Sequence, residues 1–329
     1  MSTPTSPPAS ISAALPSLSH LRPSSPHAFN PATDIPPQTG KTFLITGATS
    51  GIGKQTALEL ARRGAGLLIL MGRSEKGIVQ EVEKEVKGDT QVKFVAMDLG
   101  DLESARKGAV EVKGVVGDGR IDVLILNAGI LGGPPSLTPQ GIELHFGTNH
   151  LGHAYVFKLL HQLLKPNPLN PSTPPRVIWT ASRGHKSALP EGGISFSTLH
   201  TPQPDIIALS KYTQSKLANV IYARQVALHY PSLISISIHP EDVMTELFAK
   251  GLEGGGPELA YLVKEIAPKV AVSVEEGAKN GLWAATAEVV ESGRYYEPVG
   301  VLGKGSELSK DPEMGRKLWE WTEKELEGW

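Results

Sequence analysis

From Lys41 onward, short apolar runs alternate with amphipathic stretches, a rhythm that few architectures accommodate. Thr42–Thr46, Gly66–Met71, Val92–Met97, Asp122–Leu126, Arg176–Thr180 and Leu233–Ile238 read as strands. Ile52–Arg63, Glu75–Lys87, Ala105–Val116, Ile142–Leu164 and Leu209–Leu228 read as the helices between them. Strands separated by helices at this spacing form right-handed βαβ units, and so an α/β fold with helices on both faces of a parallel sheet. A helix near Val274–Val290, an edge strand near Arg294–Glu297 and a final helix over Pro312–Glu327 follow. Residues 242–272 break the rhythm with Gly251 and Gly254–Gly256, and read as a small helical lid after the sixth strand.

The first 40 residues are different. Pro and Ser crowd them, and Arg22 and Asp34 are their only charged side chains. Such a segment buries too little apolar surface to offset the entropy of ordering it. Residues 1–27 are therefore expected to be a disordered tail, Phe29–Gly40 to wrap the core, and residues 28–329 to form a single domain. The acidic-poor, Ser-rich start resembles an organelle transit peptide, but a lone Arg is too few for one. Net charge is -2 and no basic cluster stands out, which argues against nucleic acid as a partner. The chain has no cysteine, which excludes disulfides, thiolate catalysis and Cys-based metal sites. No apolar run approaches the ~18–20 residues of a membrane span. The expectation is a soluble, cytoplasmic protein with a small-molecule substrate; a homo-oligomer stays open.

The first strand ends in Thr46-Gly47-Ala48-Thr49-Ser50-Gly51-Ile52-Gly53, and a helix begins at once. Ligands of open parallel sheets bind beyond the carboxyl ends of the strands, where main-chain N–H groups and a helix N-terminus meet a phosphate. Gly47 permits the tight turn, Gly51 lets the main chain approach a pyrophosphate, and Gly53 lets helix and strand pack closely. The Gly-x3-Gly-x-Gly spacing resembles the short-chain dehydrogenase/reductase superfamily. Within its compact branch, Thr46–Lys54 with Gln55-Thr56-Ala57 is most similar to the retinol-dehydrogenase-like and fungal reductase groups. The resemblance covers about residues 40–300 and implies a Rossmann-type, doubly wound parallel sheet binding a nicotinamide dinucleotide.

At the tip of the second strand an NAD enzyme usually carries an acid for the ribose hydroxyls. Here the chain reads Met71-Gly72-Arg73-Ser74. Arg73 can grip a 2′-phosphate with paired charge-assisted bonds, and Ser74 can add another, which favours NADP(H) over NAD(H). Glu75 argues the other way. The resemblance implies that Asp98 and Leu99 meet the adenine. It further implies that Asn127 supports the sheet, that Ala128 and Gly129 line the nicotinamide side, and that Ser50 and Ile52 belong to the phosphate turn.

Tyr212 and Lys216 stand four apart in a helical pattern, so their side chains share a face. A tyrosine titrates near ~10, and an adjacent ammonium is expected to lower that value toward working pH. Ser182 follows the fifth strand, at the edge where the cofactor belongs, and aligns with the family serine that bonds the substrate oxygen. Asn149 matches the family asparagine that orders a water leading from the lysine to solvent. The resemblance thus implies an oxidoreductase in which Tyr212 exchanges a proton with a carbonyl or alcohol. Lys216 would hold the ribose and tune Tyr212.

After the sixth strand the family reads Pro-Gly-x-Val-x-Thr, whereas this chain reads Pro240-Glu241-Asp242-Val243-Met244-Thr245. Val243 and Thr245 keep their expected nicotinamide contacts, while Glu241 adds a side chain and a charge. His145, His150, His153 and His161 share a helix without an acidic partner at ligand spacing, and read as packing or solvent-facing residues with no metal. A weakly catalytic, nucleotide-binding regulatory or scaffold protein remains the alternative from another class, with an epimerase or dehydratase as a third. Leu131–Pro139, Arg183–Leu209 and Met244–Val270 hold the substrate contacts, and their Leu, Ile, Phe and Pro content points to an apolar, medium-sized substrate.

Overall fold

The computed structural model describes residues 29–167 and 173–329, so the expected tail lies outside the described residues. Seven strands form one sheet: β1 (Thr42–Thr46), β2 (Leu67–Gly72), β3 (Gln91–Ala96), β4 (Val123–Leu126), β5 (Arg176–Thr180), β6 (Ile234–Ile238) and β7 (Tyr295–Tyr296). They run in the order β3-β2-β1-β4-β5-β6-β7, all parallel. Alternate residues serve opposite faces. Phe43 and Ile45 enter one core and Leu44 the other; Leu68 and Leu70 are divided from Ile69 and Met71 in the same way. Burial on both faces explains why these segments are apolar throughout rather than every second residue.

Helices α1 (Gly51–Arg62) and α8 (Val274–Thr286) cover one face, while α3 (Leu102–Val116), α4 (residues 144–160), α5 (Ala208–His229) and α9 (Pro312–Glu325) cover the other. Phe29 packs on the α1 side, and Ile35 and Gln38 are buried there, so Phe29–Gly40 does wrap the core. Among the described residues no helix is long and apolar enough to cross a membrane.

Two helices depart from the expected lengths. α2 is only Ile78–Glu83, because Gly77 before it takes a left-handed φ of 74° that starts a helix afresh. α4, expected as one helix over Ile142–Leu164, starts as Leu144–Phe146, passes through a π-helical turn at Gly147–Leu151 and continues as Gly152–Leu160. The wide turn has tertiary partners: the carbonyl of Asn149 accepts from His153 Nδ1 at 2.9 Å and from Asn219 Nδ2 at 3.1 Å. π-turns of this kind collect at functional sites.

The lid after β6 contains α6 (Glu246–Gly251) and α7 (Gly256–Tyr261), followed by a second π-helical turn at Leu262–Ile266. It rests on the loop after β4, main chain on main chain. Gly132 has φ 79°, and a Cβ there would lie 2.1 Å from the carbonyl oxygen of Gly251.

Candidate active site

β1 lies between β2 and β4, where the chain reverses its winding, and a crevice opens beyond their carboxyl ends. It holds a cleft of about 650 Å³ and, beside it, a cavity of about 170 Å³; Tyr212 lines both.

The cleft begins at the glycine turn. Gly47 and Gly51 take left-handed φ of 66° and 53°. A Cβ on Gly53 would lie 2.3 Å from the Gly47 carbonyl oxygen, so only glycine lets α1 seat on the strand end. The unpaired N–H groups of the first turn of α1 thereby face the cleft. Gly47, Ser50, Gly51, Ile52, Arg73, Asp98, Leu99, Asn127, Ala128, Gly129 and Thr245 all line it. Val243 and Ser182 line the smaller cavity, while Gly53 and Asn149 stand behind the walls. Asp98 Oδ1 accepts from the Gly100 N–H at 2.9 Å. Asn127 Nδ2 donates to the Thr46 carbonyl at 3.0 Å, and Thr46 Oγ1 accepts from the N–H groups of Asn127 and Ala128. These bonds tie the end of β1 to the end of β4.

Tyr212 and Lys216 project from one face of α5 toward the end of β5, where Ser182 follows the strand. The Ser182 hydroxyl accepts from the Gly184 N–H at 3.1 Å and shares the wall of the smaller cavity with the Tyr212 phenol. Burial pushes the Tyr212 phenol up to about 12; the nearby Ser182 hydroxyl works against that rise, and the charge of Asp242 adds to it. Burial likewise brings Lys216 down to about 8. Its Nζ donates to the Thr180 carbonyl at 2.9 Å and stands 5.6 Å from the centre of the Tyr212 ring. The expected lowering of Tyr212 by Lys216 is therefore corrected. The ammonium is turned to a carbonyl instead of the phenol, and desolvation wins.

Asn149 is fully buried and its amide is engaged. Oδ1 accepts from the Ile130 N–H at 2.8 Å, while Nδ2 donates to the Ile130 carbonyl and to Ser215 Oγ, both at 3.0 Å. A Cβ at Gly129 would meet Asn149 Oδ1 at 3.3 Å and Lys216 Nζ at 3.4 Å, so glycine keeps the space between the two open.

Glu241 takes φ 64°, the left-handed conformation that glycine adopts freely. Its carboxylate accepts from Arg183 Nη2 at 3.1 Å. Sequence reasoning missed this pair, and also Asn219, whose Nδ2 donates to the Asn149 carbonyl and, at 3.3 Å, to the Thr180 carbonyl. Asn219 lies three residues after Lys216 on α5, a spacing that places both on one helix face and was the available signal. Three of the four histidines on the α4 segment are fully buried rather than solvent-facing. His145 pairs with Glu143 at 2.9 Å, His150 with Thr322 at 3.0 Å and His153 with Thr46 at 2.9 Å. Burial lowers both His150 and His153 to about 3, so each is neutral.

A match to the short chain dehydrogenase family covers residues 41–190. Human (Homo sapiens) retinol dehydrogenase 13 is 34% identical over 295 residues, 85% of this chain and 82% of that one. A short-chain dehydrogenase/reductase of Armillaria gallica is 34% identical over 306 residues, covering 88% and 91%. The solved structure of an uncharacterized protein from Mycobacterium Paratuberculosis superposes with a TM-score of 0.65 at 28% identity, over 91% of this chain and 97% of that one. With this parallel sheet and glycine turn, the chain belongs to the short-chain dehydrogenase/reductase family, oxidoreductases that act on CH–OH and C=O groups with NAD(P).

Proposed function

We propose that residues 28–329 form an NADP(H)-dependent oxidoreductase that interconverts an apolar, medium-sized carbonyl compound and its alcohol, with Tyr212 exchanging the proton. The observation that carries this reading is the meeting of two hydroxyls, Ser182 and Tyr212, on the wall of the small cavity, where Tyr212 also borders the long cleft. The cleft fits a dinucleotide: glycines clear its phosphate end, and its other end reaches Lys216. Gly47–Gly53 would hold the pyrophosphate, Asp98 and Leu99 the adenine, Lys216 the ribose, and Val243 and Thr245 the carboxamide. When bound, the cofactor supplies or takes up the hydride.

Ser182 donates to the substrate oxygen and orients it. Tyr212 stays protonated at neutral pH because its phenol is held near 12, and gives its proton to the oxygen as negative charge develops there. In the opposite direction it accepts that proton. Lys216, with Asn149 across the space at Gly129, links Tyr212 toward solvent.

NADP(H) is supported by the far end of the cleft, which Arg73, Ser74 and Lys76 line and Glu75 does not. The apolar lid residues Leu247, Phe248 and Leu262 support an apolar substrate. So does the name of the human relative, which refers to retinol. The test is a panel of ketones and aldehydes with NADPH or NADH, followed by loss of reduced-cofactor absorbance. Faster turnover with NADPH is expected; no turnover across the panel with either cofactor would overturn the reading.

A further inference from the structure

The small cavity beside Tyr212 has two unlike walls. Leu209, Leu247, Phe248, Leu262 and Ile266 make one side apolar, whereas Arg183, Glu241 and Asp242 make the other charged. Arg183 is engaged at two of its three nitrogens, while Nη1 has no hydrogen-bond partner among the described residues. Its Nε donates to Glu297 Oε1 at 2.5 Å, its Nη2 to Glu241 Oε2 at 3.1 Å, and its Nη1 stands 3.7 Å from Asp242 Oδ2. The other oxygen of Glu297 accepts from Lys186 at 2.5 Å and from the Tyr295 hydroxyl at 2.7 Å. Burial brings His185 and His239 beside this group down to about 4, so neither adds positive charge near neutrality. Three carboxylates thus face two cations, an excess of one negative charge.

Within this group Asp242 is the exception. Among the described residues its one ion-pair contact, at 3.7 Å, is longer than a hydrogen bond, and its side chain is 30% exposed. An ionised carboxylate only accepts, so Asp242 brings free acceptor capacity to a cavity that Ser182 and Tyr212 also line. Its charge reaches the reacting phenol, since it contributes to the raised pKa of Tyr212.

We propose that Asp242 is a specificity-determining residue that selects ketones carrying a hydroxyl beside the reacting carbonyl, and that the negative excess of this wall rejects carboxylates. The inference rests on the carbonyl–alcohol chemistry proposed above. A site that bonds a substrate hydroxyl discriminates against the analogue lacking it, because that ligand displaces water from the acceptor without replacing its hydrogen bond. A keto acid meets like charge, and the Nε and Nη2 donors of Arg183 are already taken by Glu297 and Glu241. The left-handed Glu241 fits the same picture: an L side chain is strained there, and its carboxylate is what occupies Nη2 of Arg183.

The test compares kcat/KM with NADPH for an alkyl methyl ketone, the same ketone hydroxylated next to the carbonyl, and the matching keto acid. The protein, Asp242→Asn and Asp242→Ala are assayed side by side. The protein should favour the hydroxyketone over the plain ketone by about tenfold or more and use the keto acid least. Asp242→Ala should bring the hydroxyketone preference to within about twofold. Asp242→Asn, which keeps an acceptor oxygen without the charge, should retain part of that preference while gaining on the keto acid. A general loss of folded protein would scale all rates together and leave the ratios unmoved. Equal use of ketone and hydroxyketone by the protein, or an unchanged ratio in both variants, overturns the inference while leaving the reductase reading intact. Turnover of none of the three compounds with either cofactor overturns that reading, and this inference with it.

Discussion

Gly132 and Gly251 meet main chain to main chain: a methyl group on Gly132 would stand 2.1 Å from the carbonyl oxygen of Gly251 and 2.6 Å from its Cα. The loop after β4, which lines the cofactor cleft, is thus the seat of the lid over the substrate cavity. Gly132→Ala should displace the lid, raise KM for the carbonyl compound and cost about 2 kcal/mol of stability. Gly133→Ala is the control, since its φ is also left-handed, at 89°, but nothing lies within 4 Å of its Cβ. It should cost about 1 kcal/mol from strain alone and leave KM nearly unmoved. Equal KM increases in both would show that strain, not the contact, is responsible.

Tyr212→Phe removes one oxygen and keeps the ring. NADPH affinity should be little changed, while turnover falls by about two orders of magnitude or more, the scale of a lost general acid. Turnover equal to the parent's, measured with cofactor affinity and Tm on the same samples, would remove Tyr212 from the reaction.

Lys216 gives stability a pH dependence of definite sign. Its folded pKa, about 8, lies below its ordinary value of 10.5. Between those values the unfolded chain binds more protons than the folded one, so this residue's contribution to stability rises with pH. Lys216→Met lacks the burial penalty of the ammonium. Its Tm relative to the parent should therefore be highest below pH 8 and fall steadily toward pH 10. A Tm difference flat across that window would mean that Lys216 titrates at its ordinary value.

The βαβ order was legible in the sequence because both faces of the central sheet are buried, so β1, β2 and β4 are apolar along nearly their whole length. The glycine turn was legible because its backbone demands are local. The π-turn at Gly147–Leu151 was not, because its partners His153 and Asn219 meet the Asn149 carbonyl only in the folded chain. The charged wall of the substrate cavity was hidden for a similar reason: Arg183 finds Glu241 58 residues away and Glu297 114 residues away. The raised Tyr212 phenol was misjudged because spacing on a helix places Lys216 on the right face without saying what its ammonium bonds.

Arg73→Asp tests cofactor choice. The exposed guanidinium lines the cleft beside Ser74, and an acid in its place sets like charge against a 2′-phosphate. The parent should prefer NADPH over NADH several-fold by kcat/KM, and the variant should lose or reverse that preference. Equal use of both cofactors by the parent would refute the assignment.

Buried cations or cation-forming groups of this protein are held by main-chain oxygens, among them Lys216 by Thr180, His153 by Asn149, and Arg176 by Ala284 and Ala287. No codon change at those acceptor positions deletes the oxygen, since every amino acid supplies a carbonyl. A mutational scan would accordingly score the donors as sensitive and their acceptors as tolerant, as though the bonds did not exist. Position 180 can drift among residues that fit the strand without unfastening Lys216. Replacing a peptide bond by an ester, which weakens the carbonyl as an acceptor, is the substitution that would expose the Thr180 anchor.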